Sequence, residues 1–418
     1  AAFSWDLETG RIKQLLRNEE DLYPAQSGLG RIVGRWDGTD YVFMPAYMGR
    51  GDDPDYDLLR VDLKKGYVRT HERGGHETID WLVGEDGTVI AREDMDDEKD
   101  LYSIWLYEDG KARKIFEDET DIPNMSLLGV KADQSALIVS LTLKETDRAA
   151  IVALTPDGKF SEALFSRPDA DVETVITTGN RVIYGVEYSG LYPSYEFFDP
   201  ALSALMTSVE AHFPDAAVTV ADWTSDFSHL VLYVRGGAAA PAYYVFDVEK
   251  RNMLHFGGAY KDLNDEDVGP AQTMMYKSRD GETLSGILTL PPSAELKAAH
   301  PTIIMPHGGP SAYDAVGFDW MAQYFASRGF AVIQPNFRGS SGFGRAFELA
   351  GHGEWGRGVM QHDVTDVVKA AITTGIADPD RICIVGASYG GYAALAGGAF
   401  TPELYKCVAA FAPVVDLR

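Results

Sequence analysis

Across residues 1–265 apolar residues come in short runs of strand length separated by polar turns, with almost no helical periodicity. One turn signal recurs: Asp6-Leu-Glu-Thr-Gly10, Asp62-Leu-Lys-Lys-Gly66, Glu108-Asp-Gly110, Pro156-Asp-Gly158, Asp199-Pro200 and Asp247-Val-Glu-Lys250. Between Asp6, Asp62, Asp109, Asp157, Asp199 and Asp247 the intervals are 56, 47, 48, 42 and 48 residues. A repeat of this length with four short strands per unit predicts β-propeller blades, an irregular sandwich being the alternative. Between these marks lie further turn-then-strand signals at Gly84–Ala91, Lys131–Val139 and Trp223–Val234. About five and a half blades are visible. A propeller closes by pairing its first and last strands, so a chain that starts inside a blade is expected to have earlier blades before it.

Around Lys261–Pro270 the repeat stops in an acidic linker, which sets the expected domains at 1–265 and 266–418. Thr273–Lys277 and Leu284–Leu290 read as two opening strands with Asp280-Gly281 as their hairpin turn. His300–Pro306 is a buried strand, Phe318–Arg328 an amphipathic helix and Phe330–Pro335 another strand. A charged helix at Asp363–Thr373, a strand at Ile382–Val385, a helix at Tyr392–Ala399 and a last strand at Lys406–Val414 follow. Strands alternating with helices predict a doubly wound, mostly parallel sheet with its site at the strands' C-terminal ends.

The strand at Ile382–Val385 runs into Gly386-Ala-Ser-Tyr-Gly390, which fits G-x-S-x-G between a strand and a helix. In that setting the motif is the nucleophile elbow of an α/β-hydrolase domain. The turn is so tight that Gly386, Gly390 and Gly391 are needed beside the serine. Ser388 then stands at the sheet edge at the N-terminus of the next helix, where free N–H groups favour developing negative charge. Ile382–Pro402 is also a charge-free run of transmembrane length, but its glycines and weak hydrophobicity fit a buried strand, elbow and helix better.

Composition adds three points. The net charge of −26 is uneven: residues 1–270 hold 50 acidic and 26 basic residues, and 271–418 hold 13 and 11. The acidic first part repels nucleic acid and anionic membrane and attracts free amines, although a large acidic surface also serves solubility alone. Cys383 and Cys407 fall on expected neighbouring strands and read as buried thiols, too few for a disulfide framework or a zinc cluster. The acidic runs Asp52–Asp55 and Asp94–Glu98 lack a complete calcium-loop pattern and read as solvated turns. No metal or cofactor is implied. No signal peptide is visible, and the compartment, cytoplasmic or exported, is left open.

Acyl transfer needs an oxyanion hole, for which the N–H of Tyr389 and one from the loop His307-Gly308-Gly309-Pro310 are placed by the motif order. His307-Gly-Gly-Pro310, Asn336-Phe-Arg-Gly-Ser-Ser-Gly-Phe-Gly344 and Gly386-Ala-Ser-Tyr-Gly-Gly391, in this order after a propeller, resemble the prolyl oligopeptidase family of serine peptidases. The acylaminoacyl-peptidase and dipeptidyl-aminopeptidase-like branch is the nearest in pattern. The resemblance implies Ser388 as nucleophile, with Tyr389 and Gly309 giving the oxyanion-hole N–H groups. Relatives that use a tyrosine hydroxyl there have Tyr where this chain has His307. It leaves Arg338 and its neighbouring glycines a structural role beneath the site.

The order in this fold is Ser, then Asp or Glu, then His, yet no histidine follows His362. The triad Asp and His are therefore expected beyond Arg418, and the chain is expected to be a fragment lacking its last strands. The expected function is a serine peptidase, an aminopeptidase or oligopeptidase acting on short peptides. An esterase or specialised isopeptidase on the same scaffold is the alternative, as is an inactive propeller binding protein. A short peptide is the expected partner, with no nucleic acid and no membrane; whether the chain forms a homo-oligomer is left open.

Overall fold

A computed structural model describes residues 2–416 apart from 18, 27, 28, 225 and 293–298. Ser225, inside one of the turn signals, and Arg418 thus lie outside the described residues. The N-terminal region is built of antiparallel meanders. After a hairpin of β1 (Phe3–Trp5) and β2 (Ile12–Gln14) come three four-stranded sheets: β3 (Gly34–Arg35), β4 (Tyr41–Met48), β5 (Asp55–Asp62) and β6 (Val68–Glu72); β7 (Thr78–Val83), β8 (Val89–Asp96), β9 (Leu101–Glu108) and β10 (Lys111–Glu119); and β11 (Met125–Val130), β12 (Leu137–Leu143), β13 (Arg148–Leu154) and β14 (Phe160–Phe165). A three-stranded sheet of β15 (Val172–Thr177), β16 (Ile183–Tyr188) and β17 (Ser194–Phe197) follows, then helix α1 (Pro200–Glu210). The last meander is β18 (Ala217–Trp223), β19 (His229–Gly236), β20 (Ala239–Asp247) and β21 (Asn252–Gly258).

The recurring aspartate turn is the hairpin between the third and fourth strands of a sheet: Asp62 ends β5, Asp109 joins β9 to β10, Asp157 joins β13 to β14, and Asp247 ends β20. Asp62 caps its turn by accepting from the N–H groups of Lys64 (3.0 Å) and Lys65 (2.8 Å). The exception corrects the sequence reading, which saw almost no helix before residue 265. Asp199 accepts from Ala201 N and opens α1 with Pro200 in its first turn, so a helix replaces the fourth strand. Between the second and third four-stranded sheets Leu82, Ala91, Tyr102, Ile104, Leu127, Val139 and Val152 form one buried cluster. Buried Glu93 of β8 crosses there, accepting from the Tyr102 hydroxyl and from Leu127 N of β11.

The C-terminal region is one mixed sheet with strand order β22-β23-β25-β24-β26-β27: β22 (Ala271–Lys277), β23 (Thr283–Thr289), β24 (His300–Ile304), β25 (Ala331–Asn336), β26 (Ala377–Ala387) and β27 (Cys407–Phe411). The first two pairings are antiparallel and the other three parallel. Helices α2 (Trp320–Ala326), α3 (Arg345–Leu349), α4 (Val359–Thr373) and α5 (Tyr389–Phe400) connect the strands; α3 had no counterpart in the sequence reading. Val364, Val367 and Val368 of α4 and Ala393 and Ala394 of α5 bury against Ile304, Ile333, Ile382 and Ile384. The charge-free run 382–402 is divided between β26 and α5, and no helix among the described residues is long and apolar enough to cross a membrane.

The cysteine reading is corrected. Cys383 and Cys407 are register partners on paired strands, with Cα atoms 4.7 Å apart, and are joined in a disulfide. Side chains directly opposite on adjacent strands point to the same face, which brings the two sulfurs within bonding reach. Cys407 is exposed. The chain divides into two compact units, one of Ala1–Leu143, Ala150–Ser166 and Val175–Gly185, the other of Lys144–Ala149, Arg167–Thr174 and Val186–Arg418. Ser388 and the loops around it lie within the second.

Candidate active site

Ser388 stands between the end of β26 and the start of α5 with φ 56° and ψ −122°, a region that residues bearing a Cβ avoid. Holding it there costs on the order of 1–3 kcal/mol, which the surrounding structure must over-determine. It does so by backbone packing. A Cβ built on Gly386 would lie 2.2 Å from Gly390 O, and one on Gly390 would lie 2.1 Å from Pro306 O. Ser388 N donates to Phe411 O (3.1 Å), and Ser388 O accepts from Tyr392 N (3.1 Å). The serine is nevertheless exposed, and Tyr389 is the first residue of α5, where N–H groups have no partner inside the helix.

The loop after β24 lies against this elbow. A Cβ on Gly308 would be 3.5 Å from Ser388 Cβ and 4.0 Å from Ser388 Oγ. Gly309 has φ +122°, which only glycine adopts without strain, and precedes a cis Pro310. The structure thus brings Gly308 against Ser388, with Gly309 and Tyr389 as their respective chain neighbours.

His307 is occupied elsewhere. Its ring stacks on Phe337 with centroids 4.4 Å apart, Nδ1 is 2.8 Å from Gly308 O, and Nε2 is 3.0 Å from Ser340 Oγ. A carbonyl only accepts, so Nδ1 carries the proton towards Gly308, while the Ser340 hydroxyl beside Nε2 also reaches Phe337 O (2.7 Å) and has one proton for the two. Burial pushes the imidazole down to about 4. A neutral ring with both nitrogens engaged is a wall of the site and leaves Ser388 without a base from this side.

Arg338 explains its motif. Its Nε and Nη2 grip both oxygens of Asp363 (2.9 and 2.6 Å), and its Nη1 reaches Asp280 (2.6 Å). Burial pushes Asp363 up against the pull of this arginine. Asn336 accepts from Asp314 N (2.7 Å) and donates to Asp314 O (2.9 Å), which fixes the loop 311–319. Three residues the sequence reading passed over hold the far side of the 338–346 loop. Arg148 reaches Asp171 (3.0 Å) and Gly342 O (3.3 Å), Asp171 accepts from Gly344 N (2.9 Å), and Asp147 accepts from Ala346 N (2.7 Å). Their only sequence signal was being ordinary polar turn residues.

Beside this loop opens a cavity of about 510 Å³, lined by Glu173, Glu187, Asp314 and Asp319 with Arg235 as its one cation among the described residues, and bounded by Ser311, two residues past Gly309. Tyr313 donates to Glu173. Gln334 donates to Asp314 Oδ1 (3.0 Å), but Oδ2 is buried with no partner. Burial, aided by Asp319, pushes Asp314 up to about 7. Burial raises Glu187 as well, assisted by Glu173 and opposed by a hydrogen bond from Tyr195.

Comparison with known proteins places this geometry. Residues 316–418 match the prolyl oligopeptidase family. The chain is 30% identical over 425 residues to dipeptidyl aminopeptidase BIII of Pseudoxanthomonas mexicana, covering 97% of this chain and 58% of that protein. It is 38% identical over 152 residues to dipeptidyl peptidase family member 6 of Caenorhabditis elegans, covering 32% of this chain and 20% of the other. Among solved structures, a puromycin-hydrolyzing peptidase of Mycobacterium tuberculosis superposes with a TM-score of 0.71 at 19% identity, over 94% of this chain and 63% of that one. The chain thus spans about three fifths of the length of these full-coverage relatives. The fold is that of a β-propeller with an α/β-hydrolase domain, and the match to the prolyl oligopeptidase family falls on the part of the chain that holds the nucleophile elbow.

Proposed function

We propose that this chain carries the nucleophile and oxyanion hole of a serine peptidase that hydrolyses short peptides through an acyl-enzyme on Ser388. The observation that carries it is the strained, exposed Ser388 held at the head of α5 by glycines no other residue could replace. In this reading the N–H groups of Tyr389 and Gly309 hold the oxyanion. The base and its acid partner are sought outside the described residues, since His307 is engaged and relatives are longer. The border between propeller and hydrolase is placed near residue 265, after β21 ends at Gly258 and before β22 starts at Ala271.

The same reading takes the substrate by a free N-terminus. Four carboxylates against one arginine give the cavity beside Ser311 a field that attracts an ammonium group. The acidic bias of residues 1–270 acts in the same sense at longer range. The relative that covers most of this chain is named a dipeptidyl aminopeptidase. The test compares kcat/KM for a dipeptidyl reporter and its N-acetylated form at low salt. A preference for the free amine of roughly tenfold or more is expected from one charge-assisted contact; equal values would remove the amine-binding part of the reading.

A further inference from the structure

A second cavity, of about 420 Å³, lies at the start of α4 and is lined by Arg279, Arg357, Gln361, His362, Thr365 and Phe400 among others, with no carboxylate in its wall among the described residues. Its charge is opposite in sign to that of the cavity beside Ser311. Arg357 spreads its guanidinium over the Phe400 ring, 4.4 Å from the centroid, and among the described residues it has no carboxylate partner. Arg279 is tied to Asp366 through Nε and Nη2 (2.9 Å for the latter). Gln361 is 4% exposed, and neither its amide nitrogen nor its amide oxygen has a partner. A buried amide left unsatisfied costs about 1–3 kcal/mol, so its retention in a cavity wall points to an occupant. The helix adds to the same field. Gly358 caps α4 with no side-chain hydrogen bond, so first-turn N–H groups at the positive end of a 15-residue helix remain available. Asp366, shared by Arg279 and Lys369, and Glu354, which lies against Gly358, both stand outside the lining.

We propose that this cavity binds a small oxyanion, a phosphate or a carboxylate group, held principally by Arg357 with Arg279, His362 and the Gln361 amide around it. An Arg guanidinium is suited to this because its donors match two oxygens of either group. The site is separate from Ser388 and does not depend on the peptidase reading.

The test is calorimetric titration of the purified full-length protein with inorganic phosphate, and separately with acetate, against sodium chloride at matched ionic strength. Saturable binding of either anion above the chloride baseline is expected, and the tighter of the two identifies the head group. Arg357→Gln should weaken it by roughly tenfold or more, while Arg357→Lys keeps the charge and should lose less. Because Arg357 is exposed, neither change should alter the melting temperature in chloride. Heats indistinguishable from chloride, or binding unchanged in Arg357→Gln, would overturn the proposal. Activity on a peptide reporter, measured alongside, should be the same in both variants.

Discussion

The hairpin turns of the blades and the elbow at Ser388 both hold residues at positive φ, for opposite reasons. In the turns that start at Asp6, Asp62 and Asp247 the fifth residue has φ 70°, 76° and 50°, and it is Gly10, Gly66 and Arg251 respectively. Each aspartate accepts from N–H groups two or three residues on, so the turn is fixed within itself. A Cβ at Gly10 would meet nothing within 4 Å. At the elbow the glycines are fixed by what lies across from them: the chain at Pro306, more than 80 positions away in sequence, closes on Gly390. A local turn tolerates substitution, whereas a turn clamped between distant backbones does not.

The comparison can be broken most sharply at the serine. Ser388→Ala should lower hydrolysis of a dipeptidyl reporter by about a thousandfold or more and leave the melting temperature within a degree or two, since an exposed hydroxyl contributes little packing; retained turnover would sink the assignment. Gly390→Ala should be next, destabilising by about 2–4 kcal/mol in urea and lowering activity with it, because its Cβ meets a carbonyl rather than a flexible side chain. A denaturation midpoint equal to wild type would show that the elbow has room.

A smaller effect is expected from pH. Asp314 ionises near pH 7, later than an ordinary carboxyl, so its negative charge is absent at pH 6 and present at pH 8. The groups facing the same cavity are Glu173, Glu187, Asp319 and Arg235. The preference for free-amine over acetylated peptide should therefore rise between pH 6 and about pH 7.5, before the substrate's own α-amine loses its proton near pH 8, and Asp314→Asn should flatten the rise; an identical profile in the variant would contradict this. The smallest effect belongs to the blade turn: Arg251→Gly should change stability by no more than about 1 kcal/mol, with activity unchanged. A large loss there would mean that the turn is held by more than itself.

What could be read in the sequence was what is local. The blade repeat and the Asp280-Gly281 hairpin carry their cause within a few residues, and the elbow shows itself in a local G-x-S-x-G pattern although the backbone that clamps it at Pro306 is distant; each appears where expected. Helix α1 was legible but misread: Asp199-Pro200 signals an N-cap and a first helical turn as well as it signals a hairpin, and Leu202, Met206 and Val209 follow at helical spacing. The clamp of Asp147, Arg148 and Asp171 was not legible, since Arg148 meets Gly342 across 194 positions and nothing near either residue records the pairing. The four carboxylates of the cavity are drawn from 173, 187, 314 and 319, a grouping that only the fold creates. The disulfide joins positions 24 apart whose opposition depends on the register of β26 against β27.

The central claim is that the geometry at Ser388 makes it a nucleophile. Its most direct test is to treat the purified full-length protein with a fluorophosphonate, measure the intact mass and map the adduct by peptide. The account predicts one adduct per chain, on Ser388, absent from Ser388→Ala. No adduct, or an adduct on another residue with Ser388 unmodified, would contradict it.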